Sequence, residues 1–173
     1  MGDTRAKVSV KVIPKKEEGI VFALGPDGGD TEATSNILLR NKSGSAALAF
    51  KVKTNNADKF WVEPKSGFIA AGSILQIRVE LRPDHARAVR DGIADPAEFA
   101  KDRFLIQSVS VLPGDEAASA GSEFASEEEK SRAVNAIFQS AEPTAILNTK
   151  RNVMVRLEPA HVVVAAAAAP AVA

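Results

Sequence analysis

The chain has 173 residues, enough for one domain with a sizeable core and some irregular sequence, since single domains cluster at roughly 100–150 residues. Its 22 basic and 22 acidic residues cancel, so attraction of the whole protein to nucleic acid or to a membrane is not expected, and any attraction must be local. With no cysteine there can be no disulfide or thiolate, and two histidines, His85 and His161, make a metal cage or catalytic triad hard to assemble. We therefore expect no enzymatic activity, no cofactor and no metal.

The first residues, MGDTRAKVSVKVIPKK, lack the apolar stretch of a secretory signal. We therefore expect a cytoplasmic protein.

Alternating apolar and polar residues dominate from residue 8 to residue 111, which predicts strands with one buried and one exposed face. In the clearest stretch, ILQIRVELRP, Leu75, Ile77, Val79 and Leu81 share one face and Pro83 follows the strand. Shorter patterns lie at Val8–Ile13, Ile20–Leu24, Asn36–Asn41, Ala47–Lys53, Lys59–Val62, Arg103–Val111 and Asn152–Leu157. Many short strands with little helix between them predict an all-β protein, an antiparallel sandwich or barrel.

Two segments interrupt the strand pattern. Asp95 followed by Pro96 predicts one or two helical turns as far as Ala100. A longer helix is predicted from Ser126 to Ala141, with Ser126 as its N-cap. Loops are predicted for the glycine-rich residues 25–30, for the segment around His85 and for the Ala/Ser/Gly-rich run before Ser126.

The final residues, 159–173, form a low-complexity Ala/Val tail that is too short and too interrupted to span a membrane, since about 20 consecutive apolar residues are needed. We interpret it as a disordered or loosely attached tail, with marginal membrane contact as the alternative.

Several cations lie on the outward faces of the predicted strands. Alternation places Lys51 and Lys53 outside on one strand, Arg103 and Leu105 on another, and Lys150 near a third. If these strands share a sheet, the side chains converge into a basic surface that contains an apolar spot. The alternative is that the cations protect strand edges, which is common in β-proteins.

The sequence resembles the major sperm protein (MSP) domain, in particular that of the VAMP-associated protein (VAP) family. The resemblance rests on ILLRNKSGSAALAFKVKTNNADKFWVEPKSGFIAAGSILQIRVELRP, on KDRFLIQSVSV and on NTKRNVMVRL. It covers about residues 7–158, and FKVKT and P-x-SG stand at the family's spacing. It implies a domain at 7–158 with a loop and helix insertion at about 114–141, an N-terminal arm at 1–6 and the tail at 159–173.

The resemblance implies a seven-stranded immunoglobulin-like β-sandwich with one or two short helices. It also implies a non-enzymatic adaptor or tether at membrane contact or trafficking sites, which binds acidic or phosphorylated FFAT-like motifs of lipid-transfer or tethering proteins. The cytosolic face of the endoplasmic reticulum is the implied site of recruitment, although the coiled coil and transmembrane helix of anchored members have no counterpart in this sequence.

Carried over by position, the implied peptide-binding residues are Lys51, Lys53, Thr54, Asn55, Arg103, Phe104, Leu105 and Lys150. Asn55 replaces a family threonine that lies beside the peptide backbone, so we expect it to alter partner choice. Arg103 and Leu105 replace a lysine and a methionine with similar chemistry.

The resemblance also implies a structural turn at Pro64, Ser66 and Gly67, often with a cis bond before the proline.

One alternative function stays open. Nematode-type members of the same family assemble into filaments, and a structural protein of that kind would associate with itself.

Overall fold

The computed structural model describes residues 5–25, 33–115 and 124–158. Within these ranges nine strands form two sheets that pack face to face. The first sheet has the order β1-β3-β7-β5, with β1 at Val10–Ile13, β3 at Thr34–Asn41, β7 at Ile74–Leu81 and β5 at Phe60–Glu63. The second sheet has the order β2-β9-β8-β4-β6, with β2 at Ile20–Leu24, β9 at Leu147–Leu157, β8 at Arg103–Ser110, β4 at Leu48–Thr54 and β6 at Ser66–Ile69.

The core lies between the sheets and consists of the apolar members of each alternating strand. The largest fully buried side chains are Phe22, Phe50, Phe104, Ile20, Leu24, Ile37, Leu39, Leu48, Ile77, Leu81, Ile106 and Ile137. Phe60 joins the sheets by packing edge-on against Phe104, with ring centroids 5.1 Å apart, and by stacking on Phe22. The predicted all-β sandwich is therefore confirmed, although the described residues hold nine strands where seven were implied. The antiparallel expectation is wrong for one pair, because β2 and β9 run parallel.

One extra strand, β6, follows directly after the predicted turn. The structure has a cis peptide bond between Glu63 and Pro64, and Ser66 and Gly67 already pair with β4. A Cβ at Gly67 would be 3.2 Å from Cε1 of the buried Phe50 ring, so this glycine lies directly against the ring. The turn residues therefore also form the edge strand of the second sheet.

The structure confirms both predicted helical segments. A 3-10 helix, Pro96–Lys101, begins after Asp95, whose side chain accepts a hydrogen bond from the backbone N–H of Ala97. A long helix, Glu127–Ser140, begins after Ser126, whose hydroxyl oxygen accepts from the N–H of Glu129 at 3.1 Å.

The loop predicted around His85 is wrong, because Pro83–Arg90 forms a helix. This helix is α1, and Glu127–Ser140 is α2. Pro83 lies in its first turn, where backbone N–H groups have no partner within the helix, so the missing N–H of proline costs no hydrogen bond. The buried Ala86 and Val89 are three residues apart on its inner face. A second short 3-10 helix lies at Pro143–Ala145.

Some predictions concern residues outside the described ranges. They are the Ala/Val tail at 159–173, most of the N-terminal arm at 1–6, most of the glycine-rich loop and residues 116–123 of the Ala/Ser/Gly-rich run.

Candidate functional site

Strands β4, β8 and β9 are neighbours in the second sheet, so the predicted convergence of their outward side chains occurs. In the strand register, Lys53 is opposite Leu105, and Leu105 is opposite Lys150. We refer to these three residues as the lysine row. Both lysines are exposed and Leu105 is half-buried. The row is therefore a strip with an apolar centre and a cation on each side.

The alternation of the strands turns the lysine row outward. Its immediate chain neighbours Val52, Phe104 and Ile106 face the core and are buried. A shift of the register by one residue would exchange these faces, so the apolar core contacts hold the lysines in their outward position.

Lys51, Gln107 and Asn148 form the next row in register. The ammonium Nζ of Lys51 lies 4.7 Å from the ring centroid of Phe138 in α2, within the range of a cation–π contact. Burial lowers the pKa of Lys51, and the charge of Lys53 lowers that pKa further. The ammonium of Lys51 therefore already has a partner in α2, which distinguishes Lys51 from Lys53.

Helix α2 covers another part of this outward face, over β4, β6 and the end of β8. Its buried residues Val134, Ile137 and Phe138 pack in one cluster with Ala49 of β4 and Val109 of β8. The outer surface of the second sheet is thus divided between an apolar area beneath α2 and an open area that carries the lysine row.

On the other side of the lysine row, Asn55 follows β4 and its carboxamide bonds to the chain at the start of β8. Its Oδ1 accepts a hydrogen bond from the N–H of Arg103 at 2.8 Å, and its Nδ2 donates to the carbonyl of Lys101 at 3.0 Å. The guanidinium of Arg103 donates to the carbonyls of Ala100 and Asp102. Both side chains are therefore engaged with the backbone of this domain.

The 3-10 helix that precedes β8 is held by a largely buried ion pair. Lys59 Nζ lies 3.0 Å from Asp102 Oδ2, and the same ammonium lies 4.5 Å from the ring centroid of Phe99. A buried carboxylate needs such a partner, because an unpaired one is costly. The pair therefore fixes the chain immediately before Arg103.

The structure gives the surroundings of two residues that the family resemblance implied as peptide-binding. Phe104, carried over as a peptide-binding residue, has 0% of its surface exposed, so its side chain supports the row from within the core. Thr54 is opposite Phe104 on the core-facing side, is half-buried, and its hydroxyl accepts from the N–H of Asn56.

In the ranges that the structure describes, no group of three or more histidine or acidic side chains is arranged to hold a metal ion. Across those same ranges, no helix has the length and apolar character needed to cross a bilayer.

Two named proteins of other organisms are similar in sequence to part of the chain. Vesicle-associated membrane protein-associated protein A of Homo sapiens is 36% identical over 81 residues, which are 46% of this chain and 28% of that protein. Vesicle-associated protein 1-3 of Arabidopsis thaliana is 31% identical over 83 residues, 48% of this chain and 32% of that protein. The chain thus spans less than a third of the length of each of these relatives.

The fold and the family agree. The solved structure of WR4, a C. elegans MSP family member, superposes with a TM-score of 0.50 at 18% identity and covers 87% of this chain and 100% of its own. This likeness supports the immunoglobulin-like sandwich. The profile of the MSP (Major sperm protein) domain family matches residues 9–130, more than two thirds of the sequence. The chain therefore belongs to the MSP domain family.

Proposed function

We propose that this protein is a non-enzymatic interaction module that binds short acidic, FFAT-like peptides on the lysine row. The observation that carries the proposal is the register of Lys53, Leu105 and Lys150 across three adjacent strands. Neighbouring strands lie about 4.8 Å apart, so the two lysine backbones are about 10 Å apart with Leu105 midway between them. A peptide with an apolar or aromatic side chain flanked by acidic groups is complementary to this pattern.

The lysines are available for such a partner. Neither Lys53 nor Lys150 forms a side-chain hydrogen bond or ion pair within the described residues. Their attraction for an acidic peptide would act at short range, because the net charge of the chain is zero, and it would weaken as salt is added.

The proposed site is narrower than the one implied by the family resemblance. Lys51 contacts Phe138, and Arg103 and Asn55 are bonded to the backbone, so these residues border the site. Direct contact with the peptide therefore depends mainly on the lysine row. Lipid-transfer and tethering proteins with acidic or phosphorylated motifs are the proposed partners, and the cytosolic face of the endoplasmic reticulum is the proposed location.

The test is a titration of a fluorescent acidic FFAT peptide followed by anisotropy. The variant Lys53→Asp/Leu105→Asp places two carboxylates in the row and is expected to abolish binding. The matched control, Lys11→Asp/Ile74→Asp, makes the same type of exchange at exposed positions on the other sheet and should bind like the wild type. Absence of wild-type binding, or an equal loss in both variants, would contradict the proposal.

Sedimentation velocity across a range of protein concentrations separates this function from the structural alternative. A filament-forming protein would sediment faster as its concentration rises, whereas the proposed adaptor would remain monomeric while it binds the peptide.

A further inference from the structure

The outer face of the first sheet carries a second group of cations. In the register, Lys11 of β1 is directly opposite Arg40 of β3, and Arg40 is opposite Ile74 of β7. Lys42 follows directly after the end of β3, two residues beyond Arg40, and all three cations are exposed. We refer to Lys11, Arg40 and Lys42 as the cationic patch.

The placement of these cations is unfavourable for the isolated domain. Like charges directly opposite each other on a sheet destabilise it. No side-chain ion pair or hydrogen bond of the cationic patch occurs within the described ranges. Elsewhere on the same face Arg78 does have acidic neighbours, since it lies 3.3 Å from Glu80 and opposite Glu63. Charge is thus compensated at one end of this face and left uncompensated at the other.

Apolar side chains project from the same end of the face. Ile74 is 60% exposed next to Arg40, and Ile13 is 40% exposed next to Leu38, one row further along. Exposed isoleucine among cations is the composition of a surface that rests in the headgroup region of a bilayer, where apolar groups enter the acyl boundary and long basic side chains reach the phosphates.

We infer that the cationic patch, with Ile74 and Ile13, contacts a membrane surface rich in anionic lipid. Charge complementarity identifies the partner, because three uncompensated cations face outward on one side of a protein with no net charge. The contact is peripheral and reversible. It does not depend on the peptide function proposed above, which uses the other sheet.

The position of the patch has a consequence for orientation. The cationic patch and the lysine row lie on the outer faces of opposite sheets of the sandwich. A domain that rests on a membrane through the first sheet presents the lysine row to the aqueous side. Membrane contact and peptide binding are therefore compatible.

The test uses sedimentation of the full 173-residue chain with vesicles of phosphatidylcholine alone or with about 30 mol% phosphatidylserine. We expect binding only to the anionic vesicles. Each cation near such a surface contributes about a fivefold factor, so Lys11→Gln/Arg40→Gln should reduce binding about 25-fold. The matched pair Lys53→Gln/Lys150→Gln removes the same charge from the other sheet and should bind these vesicles like the wild type, while it loses affinity for the acidic peptide.

The outcomes distinguish the two proposals. Loss of vesicle binding in the first pair, with wild-type vesicle binding in the second pair, supports the membrane contact, whatever either pair does to peptide binding. Binding to neutral vesicles, no vesicle binding, or an equal loss in both pairs overturns it. Complete competition by millimolar inorganic phosphate would indicate a site for free anions, and an acidic peptide bound through Lys11 and Arg40 would indicate a protein partner; either result also overturns it.

Ile74→Ser should weaken vesicle binding without altering the charge, and thermal unfolding would check that each variant is folded.

Discussion

Replacing Asn55 tests whether its carboxamide stabilises the backbone beside the lysine row. In Asn55→Ala the bonds to the N–H of Arg103, at 2.8 Å, and to the carbonyl of Lys101, at 3.0 Å, are both lost. A neutral hydrogen bond contributes about 0.5–1.5 kcal/mol, and water can replace part of this bonding because Asn55 is exposed. We therefore expect the free energy of unfolding to fall by about 1 kcal/mol.

Urea unfolding monitored by circular dichroism measures this loss. The midpoint should fall while the slope of free energy against urea is unchanged, because the mutation does not alter the surface exposed on unfolding. The melting temperature should fall by about 2–4 °C. Asn55→Thr should lose most of the same stability, since its shorter side chain cannot bridge both backbone groups. An Asn55→Ala variant with wild-type stability and reduced peptide affinity would refute the bridging role and assign Asn55 to the peptide.

Two further predictions concern stability. Gly67→Ala should destabilise the protein by about 1–3 kcal/mol in urea unfolding, because its Cβ would stand 3.2 Å from the ring of the fully buried Phe50, and an unchanged midpoint would show that the ring can move. Burial raises the pKa of Asp115, but its bonds with Arg5, at 2.7 Å and 3.1 Å, and with a backbone N–H outweigh this and leave the pKa below its usual range. The carboxylate therefore stabilises the fold above its unfolded pKa of about 3.9, and this contribution is lost as the pH falls through the lower folded value. Asp115→Asn should be less stable than the wild type at pH 7, and a difference that persists undiminished at pH 2 would contradict this origin.

The outward direction of the lysines was predictable from the sequence, whereas their neighbours were not. Alternation along β4 and β8 places Lys53 and Leu105 outside, and the structure confirms both directions. Their pairing with Lys150 depends on the register between strands that are distant in the chain, which a periodic pattern does not contain. The family resemblance implied that these residues act together, and the strand register explains how they meet.

Apolar residues at outward strand positions indicate that the helix α2 covers the sheet, although the alternation pattern alone does not predict this. Ala49 and Val109 occupy outward positions on their strands, yet both have 0% of their surface exposed because α2 packs over them. Strands that are apolar on both faces indicate a second packing layer. The contact between Lys51 and Phe138 follows from that layer, so the reduced availability of Lys51 could not be predicted from its strand alone.

Helix α1 was missed for a different reason. A proline directly after a strand is typical of a loop, although the first turn of a helix also accepts proline. The apolar residues of PDHARAVR that face the core are only Ala86 and Val89, too few to establish a helical period over eight residues. The helix depends on packing against the sandwich, since an isolated helix of this length is marginal in water.

The net charge of the chain is zero, but its acidic and basic residues are unevenly distributed over the surface of the domain. The exposed first turn of α2 carries three consecutive glutamates, where they interact favourably with the helix dipole, while cations are left uncompensated on the outer faces of both sheets. Screening limits the reach of exposed charges to about 8 Å at physiological salt, and the two packed sheets alone are about 10 Å apart. The lysine row and the cationic patch therefore act as separate short-range surfaces. Within the described residues neither surface has an ion pair, so a protein without net charge can present a basic surface on each side.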